Sequence, residues 1–116
     1  MVDSSPALAW IAERRALVEE RLASVERRLA SVRGERSEWS DEEHDPEGFA
    51  LTFEWQQAEG ARVEHRRELA ELDAAAARVH AGSFGVCEVC GQPIPEGQLE
   101  RSPARTNCVA CADRRR

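Results

Sequence analysis

The four cysteines of this 116-residue chain form two Cys-x-x-Cys pairs, Cys87 with Cys90 and Cys108 with Cys111, separated by 17 residues. A two-residue gap lets both thiolates of a pair reach one ion, and two such pairs complete the tetrahedral coordination that zinc adopts in structural sites. Gly91, directly after Cys90, allows the left-handed turn that such a pair needs. The pattern predicts one structural Zn²⁺ held by all four cysteines, with no open position for catalysis.

Disulfides and a redox dithiol are the alternative interpretations of these cysteines. Disulfides are typical of exported chains, and residues 1–6 lack the basic and apolar regions of a signal peptide. A redox Cys-x-x-Cys needs a single pair in a βαβ unit, and four-cysteine iron–sulfur clusters use other spacings. Zinc is therefore favoured, and we expect a cytoplasmic protein. No membrane association is expected, because no stretch approaches the roughly 18 apolar residues needed to cross a bilayer.

A first amphipathic helix is predicted over residues 6–33. Eight positions, spaced alternately by three and four residues, form the seam of a coiled coil, and only Arg15 among them is polar. The eight positions are Leu8, Ile11, Arg15, Val18, Leu22, Val25, Leu29 and Val32. Ser5 before Pro6 is the predicted N-cap, and Gly34 is the predicted stop.

A second helix is predicted from Pro46 to His80, with Asp45 as its N-cap. Two helices with facing seams and a short link form an antiparallel hairpin. The link is an acidic tip near residues 35–48, because residues 35–45 carry six acids and one Arg. The expected fold is mainly α, namely an antiparallel two-helix coiled-coil hairpin over residues 1–81 followed by a small four-cysteine zinc finger with a short basic tail over residues 82–116.

The composition agrees with such a fold and argues against a large core. Leu, Ile, Val and Phe together make up about 19% of the chain, near the limit below which a charged chain stays disordered. A hairpin buries only one apolar stripe, and a finger of this size gains much of its folding free energy from the metal. The formal net charge of −6 argues against wholesale binding of nucleic acid.

The stretch from Gly82 to Gly91, together with Ile94, Leu99, Pro103 and the second cysteine pair, resembles the DksA/TraR zinc-finger family of bacteria. In that family an acidic-tipped helical hairpin enters the secondary channel of RNA polymerase and modulates initiation. The resemblance implies a transcription regulator that binds RNA polymerase, with a structural zinc finger at the base of the hairpin. An enzyme is not expected, because the sequence has no Ser/His/Asp or Gly-rich phosphate signature.

The family's tip motif is Asp-x-x-Asp-x-Ala, which Asp45 and Ala50 match while Gly48 stands in place of the second Asp. The tip residues expected to act on the partner are Asp41, Glu42, Glu43, Asp45, Glu47 and Ala50. The alternative is a solvated loop whose acids cap the second helix. In the family, an Arg that directly precedes the Pro of the finger is among the residues that help to bind ppGpp. Here Ser102 precedes Pro103, so ppGpp binding by that route is not expected.

Arginines give the finger a basic face. They are Arg101, Arg105, Arg114, Arg115 and Arg116. An acidic surface of a protein partner is favoured over phosphate as their target, since the acidic hairpin would repel DNA, and no direct sequence-specific DNA binding is expected. Two alternatives to a polymerase regulator remain, a zinc-finger nucleic-acid-binding module whose hairpin dimerises, and a coiled-coil protein adaptor.

Overall fold

The structure is a computed structural model that describes residues 4–38 and 46–114, with side chains described for residues 6–31 and 52–114. Its helices are α1 (Ser4–Glu38), α2 (Pro46–Ala81), α3 (Glu96–Arg101) and α4 (Val109–Arg114). Within these ranges, extended pairing is limited to one antiparallel bridge between Val86 and Pro93. None of the helices in the described ranges combines the length and apolar character that crossing a bilayer requires. The fold is therefore mainly α, as predicted.

Helix α1 is longer at both ends than its sequence pattern indicates. The predicted N-cap, Ser5, and the predicted stop, Gly34, both lie inside α1. Pro6 is tolerated because the first turn of a helix has no partner for the missing N–H. Gly34 costs only about 1 kcal/mol relative to Ala, which its helix-forming neighbours offset. Residues 35–38, predicted to belong to the tip, are consequently helical, whereas α2 begins at Pro46 as predicted.

The chain forms two compact units. The finger unit comprises Met1–Leu17 and Glu68–Arg116, and the mid-chain unit comprises Val18–Arg67. Each unit therefore contains a part of α1 and a part of α2. The finger unit also contains both short helices and all four cysteines.

Ion pairs in the finger unit join α1 to α2. Arg14 forms a bidentate ion pair with Glu68, with Nε 2.5 Å from one carboxylate oxygen and Nη2 3.0 Å from the other. Arg15, the polar residue of the predicted seam, pairs with Asp73. The hydrogen bond to Glu68 is the main reason that the pKa of Arg14 is raised. These partly exposed pairs contribute modestly to stability but fix which residues of α1 and α2 face each other.

The mid-chain unit uses the same kind of contact. Arg28 of α1 donates to Glu54 of α2 at 2.7 Å, and Arg66 of α2 lies 3.1 Å from Glu26 of α1. Along α1, Glu26 comes before Arg28, whereas along α2 the partner of Glu26 comes after the partner of Arg28. The two helices therefore run antiparallel in this unit. Among the side chains described in this unit, Val18, Leu29 and Ala58 are fully or nearly buried. Val18 and Leu29 belong to the predicted seam of α1.

The apolar interior of the finger unit combines helix and finger side chains. From the helices, the buried residues are Ala7, Ile11, Leu72 and Ala75. The seam prediction is wrong at its first position, because Leu8 is 40% exposed and Ala7 is buried instead. A seam with a strict 3.5-residue period drifts slowly around a helix that has 3.6 residues per turn. At the start of α1 this drift places the neighbouring residue, Ala7, in the buried position instead of Leu8.

Gly82 terminates α2 by a Schellman motif. Its φ is +79°, its N–H donates to Val79 O at 3.2 Å, and the N–H of Ser83 donates to Arg78 O at 2.9 Å. Only glycine adopts this left-handed conformation without steric cost.

Two glycine substitutions are expected to have opposite effects on stability. Gly82→Ala should destabilise the zinc-loaded protein by about 1–2 kcal/mol, because an L-residue is strained at positive φ. Gly60→Ala should stabilise it by about 1 kcal/mol, because Gly60 lies inside α2 and an added Cβ would meet nothing within 4 Å. Urea unfolding followed by circular dichroism measures both changes. Equal effects of the two substitutions would contradict the assignment of Gly82 as the helix cap.

Candidate metal centre

The first cysteine pair lies in a tight turn just after α2. Cys87 N donates to Gln92 O at 2.9 Å, Gly91 N donates to Cys87 O at 2.9 Å, and the φ of Gly91 is +72°. The prediction of a left-handed turn at Gly91 is therefore confirmed. Ile94 N donates to Gly85 O at 2.7 Å and closes the small ladder that carries the turn. These bonds hold the two thiols of the pair on the same side of the turn.

The second cysteine pair is positioned by the short helices. Cys108 immediately precedes α4, Cys111 lies within it, and Ala112 N donates to Cys108 O at 3.0 Å. The side-chain oxygen of Gln98, in α3, accepts the N–H of Val109 at 3.0 Å and so caps the start of α4. Sequence reasoning missed this role of Gln98, because the two residues lie 11 positions apart and no local motif links them.

The four cysteines converge on one point. Their Sγ atoms lie within 4.8 Å of one another, and the Sγ atoms of Cys90 and Cys108 are 4.0 Å apart. A tetrahedral zinc site with Zn–S bonds of about 2.3 Å needs S···S separations of about 3.8 Å, so the group fits this ion. No disulfide joins any of the four, all of which lie in the described part of the chain. Cys87 and Cys111 are buried and Cys90 is exposed, so the centre lies at the surface of the finger.

Two backbone N–H groups point at the sulfur of Cys87. The donors are Cys90 N at 3.5 Å and Cys108 N at 3.4 Å, and together they lower the pKa of the Cys87 thiol to about 6 because they stabilise the thiolate. The pKa of Cys111 is instead raised to about 12, first by its hydrogen bond with the Cys108 thiol and second by burial. Zinc supplies the positive charge that stabilises all four ligands as thiolates.

A small apolar core supports the metal centre. Phe84, Ile94 and Leu99 are all buried, and the Leu99 side chain, in α3, is fully so. Pro103 is also buried. Ile94, Leu99 and Pro103 are among the residues that suggested the family resemblance, and their burial gives a physical reason for their place in the pattern.

The predicted partner-binding residues are only partly described. Asp41, Glu42, Glu43, Asp45, Arg115 and Arg116 lie outside the described residues. Glu47 and Ala50 lie in α2, but their side chains are outside the description. Arg101 and Arg114 are exposed, whereas Arg105 is half-buried and donates from Nη1 to Asn107 O at 3.0 Å. Arg105 thus differs from the other described arginines of the basic face.

The fold and the site together define a four-cysteine zinc-binding protein built on two long helices. Residues 82–116 match the prokaryotic dksA/traR C4-type zinc finger. An uncharacterised 8.2 kDa protein of Escherichia phage P2, from the gpA 5′ region, is 44% identical over 50 residues, which cover 41% of this chain and 68% of that protein. The chain belongs to the DksA/TraR zinc-finger family, as a divergent member.

Other relatives extend the comparison. The RNA polymerase-binding transcription factor DksA of Caulobacter vibrioides is 38% identical over 53 residues, which cover 46% of this chain and 37% of that protein. An uncharacterised protein of Aquifex aeolicus is 40% identical over 45 residues, or 31% of its length. The matched region thus spans about a third of each of these two relatives.

A solved structure resembles nearly the whole chain. The transcription factor DksA2 of Pseudomonas aeruginosa superposes with a TM-score of 0.55 and 20% sequence identity, over 92% of this chain and 83% of that one. At this identity the likeness concerns the fold. It extends beyond the finger into the long helices, where the sequence relation is weak.

Proposed function

We propose that this protein is a transcription regulator that binds bacterial RNA polymerase and inserts the tip of its α1–α2 hairpin into the secondary channel. The observation that carries the proposal is the presence, in one chain, of the family's four-cysteine finger and of two long helices with the fold of DksA2. The relative from Caulobacter vibrioides is named an RNA polymerase-binding transcription factor, which supports the same partner.

The tip acids are the residues we assign to regulation. Asp45 occupies the first position of the family's tip motif, and Asp41, Glu42 and Glu43 add charge to the same connecting segment. In the family the acidic tip approaches the metal-containing active centre of the polymerase. Carboxylates delivered there would change the local field and compete for cations, which provides a physical route to altered initiation. Glu47 and Ala50 complete the proposed tip.

The zinc finger supports this function without chemistry of its own. One Zn²⁺ held by four protein thiolates would have a closed coordination sphere, so the metal is structural in this proposal and offers no open position for catalysis. Arg101 and Arg114 are exposed on the finger and suit an acidic surface of the polymerase. Arg115 and Arg116 extend this basic set in the sequence. Binding of ppGpp by the family's route is not expected, because Ser102 stands before Pro103 where the family's alarmone-binding Arg would be.

A charge-reversal pair tests the proposal. Asp45→Lys should abolish regulation of transcription in a purified polymerase system while binding to core polymerase changes less than about threefold, because the finger and the helices still dock. Glu20→Lys is the matched control, since it changes the net charge equally on an exposed position of α1. Binding is measured by pull-down and by competition with another secondary-channel factor, and regulation by transcript yield with and without ppGpp.

Two results would overturn the proposal. The first is the absence of binding to core polymerase at micromolar concentration. The second is tight binding to DNA that weakens steeply with salt and depends on Arg101 and Arg114, which is the behaviour of a nucleic-acid-binding module. Equal loss of regulation in Asp45→Lys and Glu20→Lys would remove the tip from the mechanism.

A further inference from the structure

The loop of residues 102–107, which joins α3 to the second cysteine pair, is held through its carbonyl groups. Four of them accept hydrogen bonds, namely those of Ser102, Ala104, Thr106 and Asn107. The donor to Thr106 O is the backbone N–H of Glu88, in the first cysteine pair, at 2.9 Å. The donor to Ala104 O is Nη2 of Arg78, in the last turn of α2, at a longer 3.5 Å. Neighbouring parts of the finger unit thus fix this loop from two sides.

Arg105 fixes the remaining two carbonyls of the loop. Its backbone N–H donates to Ser102 O at 3.0 Å, and its side-chain Nη1 donates to Asn107 O at 3.0 Å. The Nε atom of the same side chain is buried and has no acceptor among the described residues. A buried donor of this kind costs free energy, so surface display of charge does not explain the position of this side chain.

The Asn107 carbonyl and the Cys108 N–H are the two ends of one planar peptide group. On one side, the carbonyl accepts a hydrogen bond from the Arg105 guanidinium. On the other side, the Cys108 N–H points at the Cys87 sulfur at 3.4 Å. A cationic donor on the carbonyl fixes the rotation of the peptide and polarises it, which strengthens the N–H as a donor. Arg105 is therefore connected to a metal-ligating sulfur through a single peptide group.

We propose that Arg105 is a positioning residue of the metal centre, which orients and polarises the 107–108 peptide so that its N–H stabilises the Cys87 thiolate and places Cys108 as a ligand. The positive charge also suits the dianionic group that four thiolates form with Zn²⁺. The proposed role of Arg105 is to help the protein retain zinc. This role distinguishes Arg105 from Arg101, which is exposed. This inference does not depend on polymerase binding, because it concerns the metal centre alone.

Zinc release from the loaded full-length protein tests this proposal. Release into excess chromogenic chelator should be about tenfold faster or more for R105A than for the wild type, as expected for loss of a charge-assisted hydrogen bond. R105K, which keeps a cationic donor, should recover part of the loss, and R101A should release zinc at the wild-type rate. The Co²⁺-substituted R105A protein should retain the absorption of a tetrahedral four-sulfur site, which shows that the ligand set is unchanged.

Several outcomes would overturn the proposal. One is that R105A releases zinc at the wild-type rate. Another is that R101A accelerates zinc release as much as R105A does, which would indicate a general effect of charge. Unchanged zinc release in R105A combined with lost polymerase binding would make Arg105 a partner contact instead. If R105A takes up no zinc, R105Q replaces it. Faster release from R105Q then supports the positioning role, and wild-type release contradicts it.

Discussion

Removal of zinc with a strong chelator is expected to unfold residues 82–111 in the full-length protein. The apolar core of this segment consists of little more than Phe84, Ile94 and Leu99. Such a core supplies only a small part of the free energy needed to order about 30 residues. Zinc binding, with an apparent free energy of about 10–16 kcal/mol in zinc-finger peptides near neutral pH, supplies the rest. Replacing one buried ligand, as in Cys111→Ser, should have the same consequence.

The two compact units should respond differently to chelation. The mid-chain unit contains no cysteine, and its helices are joined by ion pairs such as Arg28 with Glu54. It should keep its helical structure, although its stability is expected to be marginal, because among its described side chains (residues 18–31 and 52–67) only Val18, Leu29 and Ala58 are well buried. The finger unit also includes Met1–Leu17, so that part of α1 should lose protection together with the finger.

Hydrogen exchange with and without chelator measures this difference residue by residue. Amides of residues 82–111 should exchange as in an unfolded chain without zinc, while those in the interior of Val18–Arg67 stay protected. Return of excess Zn²⁺ is the control for reversibility. Persistent protection of the Cys87 N–H and Ile94 N–H bonds in the metal-free protein would contradict the prediction.

Leu72→Ala is expected to destabilise the zinc-loaded protein by about 2–5 kcal/mol. Leu72 is fully buried in the finger unit, and its truncation removes apolar burial and leaves a cavity. A loss of this size is a large part of the roughly 5–15 kcal/mol that stabilises a typical domain, so the urea concentration at the unfolding midpoint should fall clearly. Urea unfolding at fixed excess zinc, followed by circular dichroism, gives the change in free energy.

Leu8→Ala is the matched control for this substitution. Leu8 lies on the predicted seam, but it is 40% exposed in the finger unit, so the same chemical change should alter stability by less than about 1 kcal/mol. Similar losses for the two substitutions would show that Leu8 is packed as the periodicity alone indicates. The pair therefore tests the assigned burial and not only the hydrophobicity of the helices.

The cysteine spacing predicts the metal centre well because the chemistry of a tetrahedral ion constrains it directly. Paired thiols two residues apart have few other uses, and Gly91 must take a positive φ to bring them together. The helices are also predicted, since a sustained 3.5-residue apolar period has few alternatives. Gly34 shows the limit of such signals, because good helix formers on both sides carry α1 past it.

The internal contacts of the finger could not be predicted in the same way. Arg105 is indistinguishable in sequence from a surface arginine, and only the position of the Asn107 carbonyl gives it a different role. The cap that Gln98 provides for α4 depends on two helices meeting across an 11-residue interval. Both contacts follow from the path of the loop of residues 102–107, which no periodicity or local motif encodes.

The order in which the chain is synthesised has a consequence for how it folds. The mid-chain unit is one continuous segment, Val18–Arg67, inserted between the two parts of the finger unit. All the contacts within that unit become available once Arg67 leaves the ribosome, whereas Arg15 must wait for its partner Asp73 and the first cysteine pair must wait for the second. At about 5–20 residues per second the delay between Arg67 and Cys111 amounts to several seconds. The helical pair should therefore form first during translation, and zinc capture should be the last step of folding.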